Sequence, residues 1–339
     1  MAIMNSDPAA LRGTQSGTGG TDLERSVATV QQQCDALLQQ MTTIRAELSE
    51  LTGRETVLRA VLERNNELEP YVERLRKILG KIKMANEPIV AIDSATLHLE
   101  PFPYAVIDHV LPSAFYDALL TGLPPVQMFE TKPDGKQHLD VPLTLAPTYG
   151  HLVWGAMAGE LVPQVIAPRL IEKFRAQLDE WISRNWPDVP PRSVELHGSG
   201  GRIMFRRRGY RIRPHRDPKW SFMTCILYLA RPTDSETWGT QLYEVADDQE
   251  ARNAAPYWID EAKCRLVNDV EFKPNRLLVF LNSGGAHGAS IPADALPADL
   301  ERYIYQFRVG PGVEAVANLR AMLPEERSAL WTGKALVDY

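Results

Sequence analysis

Residues 213–217 read Arg-Pro-His-Arg-Asp and decide how the rest of the chain is interpreted. Successive side chains of a β-strand point to opposite faces, so a strand here would place His215 and Asp217 on one side and Arg216 on the other. An imidazole and a carboxylate on the same side can bind one metal ion. The pair is a weak signal on its own, because a histidine and an aspartate two residues apart often occur by chance.

A third ligand would have to come from a strand that is adjacent in space and distant in sequence. His287 meets this requirement, since it follows an apolar run at residues 276–281, which predicts a buried strand, and a turn at residues 282–285. Two histidines and one carboxylate on one face of an octahedral ion leave three positions open, as in non-haem Fe(II) sites. The sequence therefore predicts an Fe(II) site at His215, Asp217 and His287.

Four segments around these residues occur in the order found in a known family. They are residues 209–212 before the first ligand, residues 223–229, residues 238–243, and residues 280–283 followed by His287-Gly288 and residues 301–304. With an opening segment at residues 101–108, they resemble the 2-oxoglutarate/Fe(II) dioxygenases and, within them, the prolyl-4-hydroxylase-like branch. The resemblance covers roughly residues 97–310 and implies a mainly β fold with flanking helices, built on a double-stranded β-helix (jelly-roll, cupin-like) core.

The resemblance also implies which residues bind the co-substrate. Arg302 occupies the position of the family's basic residue, which binds the distal carboxylate of 2-oxoglutarate in a two-pronged salt bridge. Arg308 has the same strand parity and is the second candidate. Tyr228 matches a tyrosine that supports this carboxylate, and Leu242 matches an apolar wall residue. The chain departs from the pattern in a fifteen-residue interval between the third ligand and Arg302, and in Phe205, where a tyrosine is common.

The implied activity is that of an enzyme with Fe(II) bound by His215, Asp217 and His287 and with 2-oxoglutarate and O2 as co-substrates. It would hydroxylate a substrate C–H bond and decarboxylate 2-oxoglutarate to succinate. The branch suggests a peptide side chain as substrate, and a carbohydrate or another small metabolite is equally compatible because similar oxygenases act on both. The alternative is a non-catalytic coiled-coil scaffold carrying a degenerate jelly-roll domain, against which the intact ligand set and Arg302 argue.

Basic residues crowd the segment from residue 202 to residue 219, which leads into the first ligand. If the strand register holds through Pro214, Arg211 and Arg213 share the inward face with His215. Cationic side chains at the mouth of a barrel would suit an anionic substrate, such as a phosphorylated, nucleotide-linked or carboxylated molecule. The alternative is a solvated edge strand whose charges prevent aggregation.

A heptad pattern dominates the N-terminal part of the chain. Its apolar members recur at alternating spacings of four and three: Leu23, Val27, Val30, Cys34, Leu37, Met41, Ile44, Leu48 and Leu51. Such a seam over about four repeats is typical of a coiled coil and predicts a homo-oligomer. The alternative is a helix that folds back on its own catalytic domain. Glu69-Pro70 is expected to end this helix, because the residue before a proline disfavours helical geometry.

Composition excludes several classes of protein. A net charge of −6 argues against general nucleic-acid binding, and no apolar run approaches the roughly 20 residues that a membrane span needs. The three cysteines, Cys34, Cys225 and Cys264, are odd in number and widely spaced, which suits free thiols in a reducing cytoplasm.

The predicted organisation has four parts. A disordered leader covers residues 1–20, a helical coiled-coil region residues 21–85, the dioxygenase domain residues 86–312, and a helical tail residues 313–339. Within the dioxygenase domain, the polar segment at residues 247–269 is expected to be an irregular loop over one edge of the barrel.

Overall fold

The computed structural model describes residues 19–82, 85–131, 137–141, 143, 145–217, 221–248 and 258–325. The predicted leader lies outside these residues except for its last two positions, and so does the predicted tail after residue 325. Contacts within the chain divide it after Leu58 into a helical unit and a larger compact unit.

One long helix, α1, runs from Gly19 to Leu68. The predicted helix is therefore continuous, and Gly53 does not interrupt it. The large apolar seam residues between Val27 and Leu58 are 49–59% exposed. The helix ends where the sequence predicts, because a short 3-10 turn at Glu69–Tyr71 contains Pro70.

The remaining helices belong to the larger unit. The first of them, α2, extends from Val72 to Ile82 and buries Val72, Leu75 and Ile82. The others are α3 (Glu87–Ser94), α4 (Ser113–Thr121), α5 (Thr148–Ala156), α6 (Ala167–Lys173), α7 (Arg175–Asn185) and α8 (Val313–Ala321), with a π-helical segment at Met157–Ile166 between α5 and α6.

Twelve strands among the described residues form two antiparallel sheets. Four strands precede the barrel: β1 (Leu97–His98), β2 (Tyr104–Ile107), β3 (Glu130–Thr131) and β4 (Gln137–Asp140). Eight follow: β5 (Leu196–Arg206), β6 (Arg211–His215), β7 (Met223–Tyr228), β8 (Thr240–Val245), β9 (Cys264–Val270), β10 (Leu277–Leu281), β11 (Ala286–Ser290) and β12 (Arg302–Pro311).

Strands β5–β12 have the arrangement of a jelly roll. The larger sheet has the order β1-β2-β10-β7-β12-β5-β4-β3, and the smaller sheet has the order β6-β11-β8-β9. Strands that are consecutive in the chain therefore often lie in different sheets, and the two sheets enclose one interior between them. This is the predicted core, extended by β1–β4 at the two edges of the larger sheet.

The prediction of an irregular loop at residues 247–269 is wrong in its C-terminal part. Strand β9 (Cys264–Val270) lies there and pairs with β8 at the edge of the smaller sheet. An edge strand with one solvated face carries polar residues such as Arg265 and Asp269, so it lacks the apolar run by which the buried strands were recognised. Residues 249–257 lie outside the described part.

The two faces of the larger sheet bury different sets of side chains. On β7, Cys225 and Leu227 pack into the large apolar cluster shared with the helices, whereas Ile226 and Tyr228 pack into the barrel interior. The alternation follows from the period of two along a strand. Even-numbered positions on β5, β7 and β12 therefore face the interior, where a ligand would bind.

Among the described residues, none of the helices combines the length and apolarity that crossing a membrane requires.

Candidate metal centre

Strand pairing brings the two predicted histidine ligands together. His287 on β11 lies directly opposite His215 on β6, in adjacent antiparallel strands. Asp217 follows two residues after the end of β6. All three side chains are buried. The register of β6 and β11 thus supplies the predicted third ligand from a spatially adjacent strand.

The three side chains converge on one point. One ligand atom from each residue lies within 4.8 Å of the others. Nε2 of His215 is 4.0 Å from Oδ1 of Asp217, and Nε2 of His287 is 3.8 Å from Oδ2 of the same carboxylate. Two imidazoles and a carboxylate at these separations are the donor set that non-haem Fe(II) prefers. The residues present therefore fit a ferrous ion.

Neighbouring groups hold the histidines in a metal-binding form. Nδ1 of His215 lies 2.8 Å from the carbonyl oxygen of Arg213, so a proton on Nδ1 donates there and Nε2 keeps its lone pair. Burial lowers the pKa of His287 well below its ordinary value, and the adjacent His215 lowers it further. His287 is therefore neutral at neutral pH, as a metal ligand must be.

The carboxylate of Asp217 is held in its ionised form. Burial alone would raise its pKa, but the guanidinium of Arg308 and the two histidines outweigh burial and hold the pKa of Asp217 well below its usual range. Nη1 of Arg308 lies 3.1 Å from Oδ2 of Asp217. The hydroxyl of Thr224 donates a hydrogen bond to the same oxygen. Such contacts orient a ligating carboxylate.

We expect Thr224→Val to weaken Fe(II) binding by about 10-fold, within the range seen when a partner of a metal ligand is removed. The substitution keeps the volume of the side chain and removes its hydrogen bond to Asp217. Anaerobic titration with Fe(II) measures the effect. Thr224→Ser is the control and should restore most of the affinity, whereas equal affinity in the valine variant and the natural protein would show that the hydrogen bond does not matter.

Arg302 lies deep inside the barrel with one edge of its guanidinium available. It is 1% exposed, and its charge lies 4.3 Å from the ring centre of Phe272. Nη1 donates to the carbonyl oxygen of Ser235 at 2.6 Å. Nε and Nη2 have no hydrogen-bond partner within the described part of the chain. These two atoms form the edge with which an arginine binds a carboxylate in two parallel hydrogen bonds.

The other predicted co-substrate residues line the same interior. Tyr228 is fully buried against Phe272, and its hydroxyl has no hydrogen-bond partner among the residues described. Burial raises the pKa of Tyr228 to about 12, so the hydroxyl keeps its proton and can donate it. Leu242 on β8 is fully buried and lies opposite His287. Tyr228 and Arg302 thus share a contact with Phe272, whereas Leu242 lies beside the metal-site residue His287.

Phe205 does not face the site. It stacks on Tyr303 with ring centres 4.8 Å apart, on the face of the sheet that packs against the helices. The next residue, Arg206, turns into the barrel instead and lies directly opposite Arg302. Arg206 was not predicted as a site residue, although its parity with the interior residue Met204 could have identified it.

Arg211 and Arg213 lie outside the buried interior. Both are exposed on β6, the edge strand of the smaller sheet. Arg211 forms a 2.7 Å ion pair with Glu261, which favours the charged-edge interpretation for this residue. Arg213 lies over the ring of Trp258 at 5.0 Å, and that ring contacts His215 at 5.5 Å. Arg213 is thus the better placed of the two to meet a substrate.

The fold and the site together define a class of protein: a jelly-roll barrel with a buried site of two histidines and one carboxylate. No family model matches the chain, and no curated protein matches its sequence. Solved structures of 2-oxoglutarate/Fe(II) oxygenases, including prolyl hydroxylases, resemble it in fold.

Three of these structures illustrate the similarity. A prolyl-4-hydroxylase from Pseudomonas putida is 14% identical, with 66% of this chain and 99% of that chain covered and a TM-score of 0.37. HygX from Streptomyces hygroscopicus, solved with nickel, 2-oxoglutarate and hygromycin B, is 13% identical, with 67% and 87% covered and a TM-score of 0.38. The collagen prolyl hydroxylase of Paramecium Bursaria Chlorella virus-1 is 11% identical, with 62% and 96% covered and a TM-score of 0.34.

Proposed function

We propose that this chain is an Fe(II)- and 2-oxoglutarate-dependent dioxygenase that hydroxylates its substrate. The observation that carries the proposal is the convergence of His215, Asp217 and His287 at one buried point of the barrel. Arg308 keeps the pKa of Asp217 low, and burial keeps the pKa of His287 low, so these two ligands are already in the form that binds a metal. The alternative of a degenerate, non-catalytic jelly roll does not explain an intact ligand set held by its own hydrogen-bonding partners.

Different residues of the chain would bind the metal ion and the co-substrate in such a site. His215, Asp217 and His287 would hold the ion, and a set of three protein ligands would leave positions for the co-substrates. The Nε and Nη2 atoms of Arg302 would bind the distal carboxylate of 2-oxoglutarate, with a hydrogen bond from Tyr228. When bound, Fe(II) supplies the redox chemistry that couples the use of O2 and the decarboxylation of 2-oxoglutarate to succinate with hydroxylation.

Apolar side chains around the site support this division of roles. Leu242, Phe272 and Ile304 belong to one buried cluster in the barrel interior. They would exclude water around a bound co-substrate, which would strengthen a salt bridge with Arg302. The substrate is either a peptide side chain or a small metabolite.

The proposal is tested by succinate formation in the full-length protein with 2-oxoglutarate and Fe(II), without added substrate. Oxygenases of this kind are expected to consume some 2-oxoglutarate uncoupled from substrate oxidation. Succinate should appear with Fe(II) and disappear when the metal is chelated. Absence of metal-dependent succinate from folded, iron-loaded protein would favour the scaffold alternative. A peptide panel beside a metabolite panel, read by a mass gain of one oxygen, would then address the substrate.

We further propose that α1 assembles the protein into a homo-oligomer through a coiled coil. The support is a heptad seam whose large apolar residues are 49–59% exposed, which is more apolar surface than a solitary helix in water normally shows. We also propose the boundaries of the four predicted regions and a cytoplasmic location. Three cysteines without a disulfide partner agree with a reducing compartment.

The double variant Leu37→Asp, Ile44→Asp should reduce the protein to a single chain in light scattering. Two charges in the seam cannot be buried without a partner, so association becomes unfavourable. Gln39→Asp, on the opposite side of the helix, is the matched control and should leave the mass unchanged. A natural protein that is already monomeric, or a double variant with unchanged mass, would remove the seam as an assembly device.

A further inference from the structure

Two buried arginines face each other inside the barrel. Arg206 on β5 lies directly opposite Arg302 on β12, and the two are 9% and 1% exposed. Like charges at directly opposed positions of a sheet destabilise it, and burying a charge without a partner is costly. Two arginines at this position therefore call for negatively charged groups to offset their burial.

Of the two arginines, Arg206 has fewer contacts that would compensate for the burial of its charge. Its guanidinium carbon lies 5.0 Å from the centre of the Tyr210 ring, and its Nε has no hydrogen-bond partner among the residues that the structure describes. Other buried arginines are paired: Arg216 with Asp248, and Arg276 with Asp108. Arg206 has no such carboxylate in the described part of the chain.

The charges inside the barrel do not balance. Arg206, Arg302 and Arg308 contribute three positive charges, and Asp217 is the one buried carboxylate among the described residues. The difference, three minus one, is two positive charges. A ferrous ion would add two and the dianionic 2-oxoglutarate would remove two, so two remain. Complete loading of the proposed active site therefore still leaves an excess of positive charge that a further anion would neutralise.

The co-substrate does not need Arg206. Arg302 offers Nε and Nη2 as a two-pronged edge, and the hydroxyl of Tyr228 adds a third donor. These three donors are enough for the two oxygens of one carboxylate. The guanidinium of Arg206 is left for a different negatively charged group in the same cavity.

We propose that the primary substrate is an acid, and that Arg206 binds its carboxylate or phosphate group inside the barrel. This inference rests on the proposed function, because the assignment of Arg302 to 2-oxoglutarate leaves Arg206 to the substrate. Among the substrates that the fold allows, the inference favours acidic small molecules and peptides with an acidic side chain. The experiment distinguishes binding of a carboxylate of the substrate from binding of a carboxylate of 2-oxoglutarate.

The experiment uses the full-length protein loaded with Mn(II) and saturating 2-oxoglutarate, so that the co-substrate site is filled and no turnover occurs. Inorganic phosphate and acetate are the probes, and calorimetric titration measures their binding. The loaded protein should bind one equivalent of at least one probe. Arg206→Met should weaken this binding at least about 10-fold, as loss of a charge-assisted hydrogen-bonding partner does, and Arg206→Lys should retain part of it.

Matched controls distinguish probe binding at Arg206 from binding at a neighbouring arginine or at the metal. Arg207→Met removes a neighbouring arginine whose side chain is 55% exposed and should leave probe binding unchanged. A probe that binds to the metal would bind equally well in the methionine variant. Arg206→Met should also raise the melting temperature of the metal-free protein, because it removes one of two opposed buried charges.

Three results would overturn the inference: no probe binding, equal binding by Arg206→Met, or loss of 2-oxoglutarate affinity in Arg206→Met as large as in Arg302→Met. The last would assign Arg206 to the co-substrate. Failure of the proposed function would look different, because the Mn(II)-loaded natural protein would then not bind 2-oxoglutarate at all.

Discussion

His215→Ala should lose Fe(II)-dependent succinate formation by at least about 100-fold, more than the loss typical of removing a partner of a metal ligand. The substitution removes one of three ligands, and the two that remain cannot hold the ion in the same geometry. Its Nδ1 contact with the carbonyl of Arg213 is local, so the fold should survive. Succinate assays under a series of Fe(II) concentrations measure the effect.

The control for this prediction is His197→Ala. The side chain of His197 is 61% exposed and lies near the start of β5, at the opposite end of the strand from Arg206. Its removal should therefore leave succinate formation unchanged. Circular dichroism of both variants checks that the fold is retained. Normal turnover in His215→Ala would remove the residue from the metal site.

Arg302→Met should raise the KM for 2-oxoglutarate by about 100-fold, equivalent to ~2.7 kcal/mol of binding free energy, with a smaller change in kcat. The expected loss is large because a buried carboxylate would be left without its charged partner. Methionine preserves the apolar contact with Phe272, so the fold should be kept. The initial rate of succinate formation against 2-oxoglutarate concentration gives both constants.

Arg308→Met distinguishes the two arginine candidates. Arg308 contacts Asp217, so its loss should disturb the metal site and lower the affinity for Fe(II) more than that for 2-oxoglutarate. If instead Arg308→Met raised the KM for 2-oxoglutarate and Arg302→Met did not, the roles of the two residues would be exchanged.

The metal ligands could be predicted because their chemistry constrains both residue type and spacing. His215 lies at the end of a strand, and Asp217 lies two residues beyond that strand rather than on it, yet its carboxylate reaches the same point. The apolar run before His287 indicates a buried neighbouring strand. The end of α1 at Leu68 was equally predictable, since Pro70 disfavours a continuing helix. These features follow from local residue preferences, which packing in the rest of the fold does not override.

Other features depend on which face of a sheet a strand presents, and this is decided by packing. Phe205 and Arg206 face opposite sides of the larger sheet, because the aromatic ring packs against the helical layer and the cation turns inward. Strand β9 escaped prediction because an edge strand needs no apolar run. Arg211 was expected to face inward, but its pairing with Glu261 holds it at the surface.

The central claim is that His215, Asp217 and His287 together hold one ferrous ion beside 2-oxoglutarate. Anaerobic addition of Fe(II) and then 2-oxoglutarate to the full-length protein tests it most directly, by the visible charge-transfer absorption of an iron-bound 2-oxo acid. One equivalent of Fe(II) should produce this absorption, and His215→Ala should lack it. No absorption in the iron-loaded natural protein, or an undiminished absorption in His215→Ala, would contradict the claim.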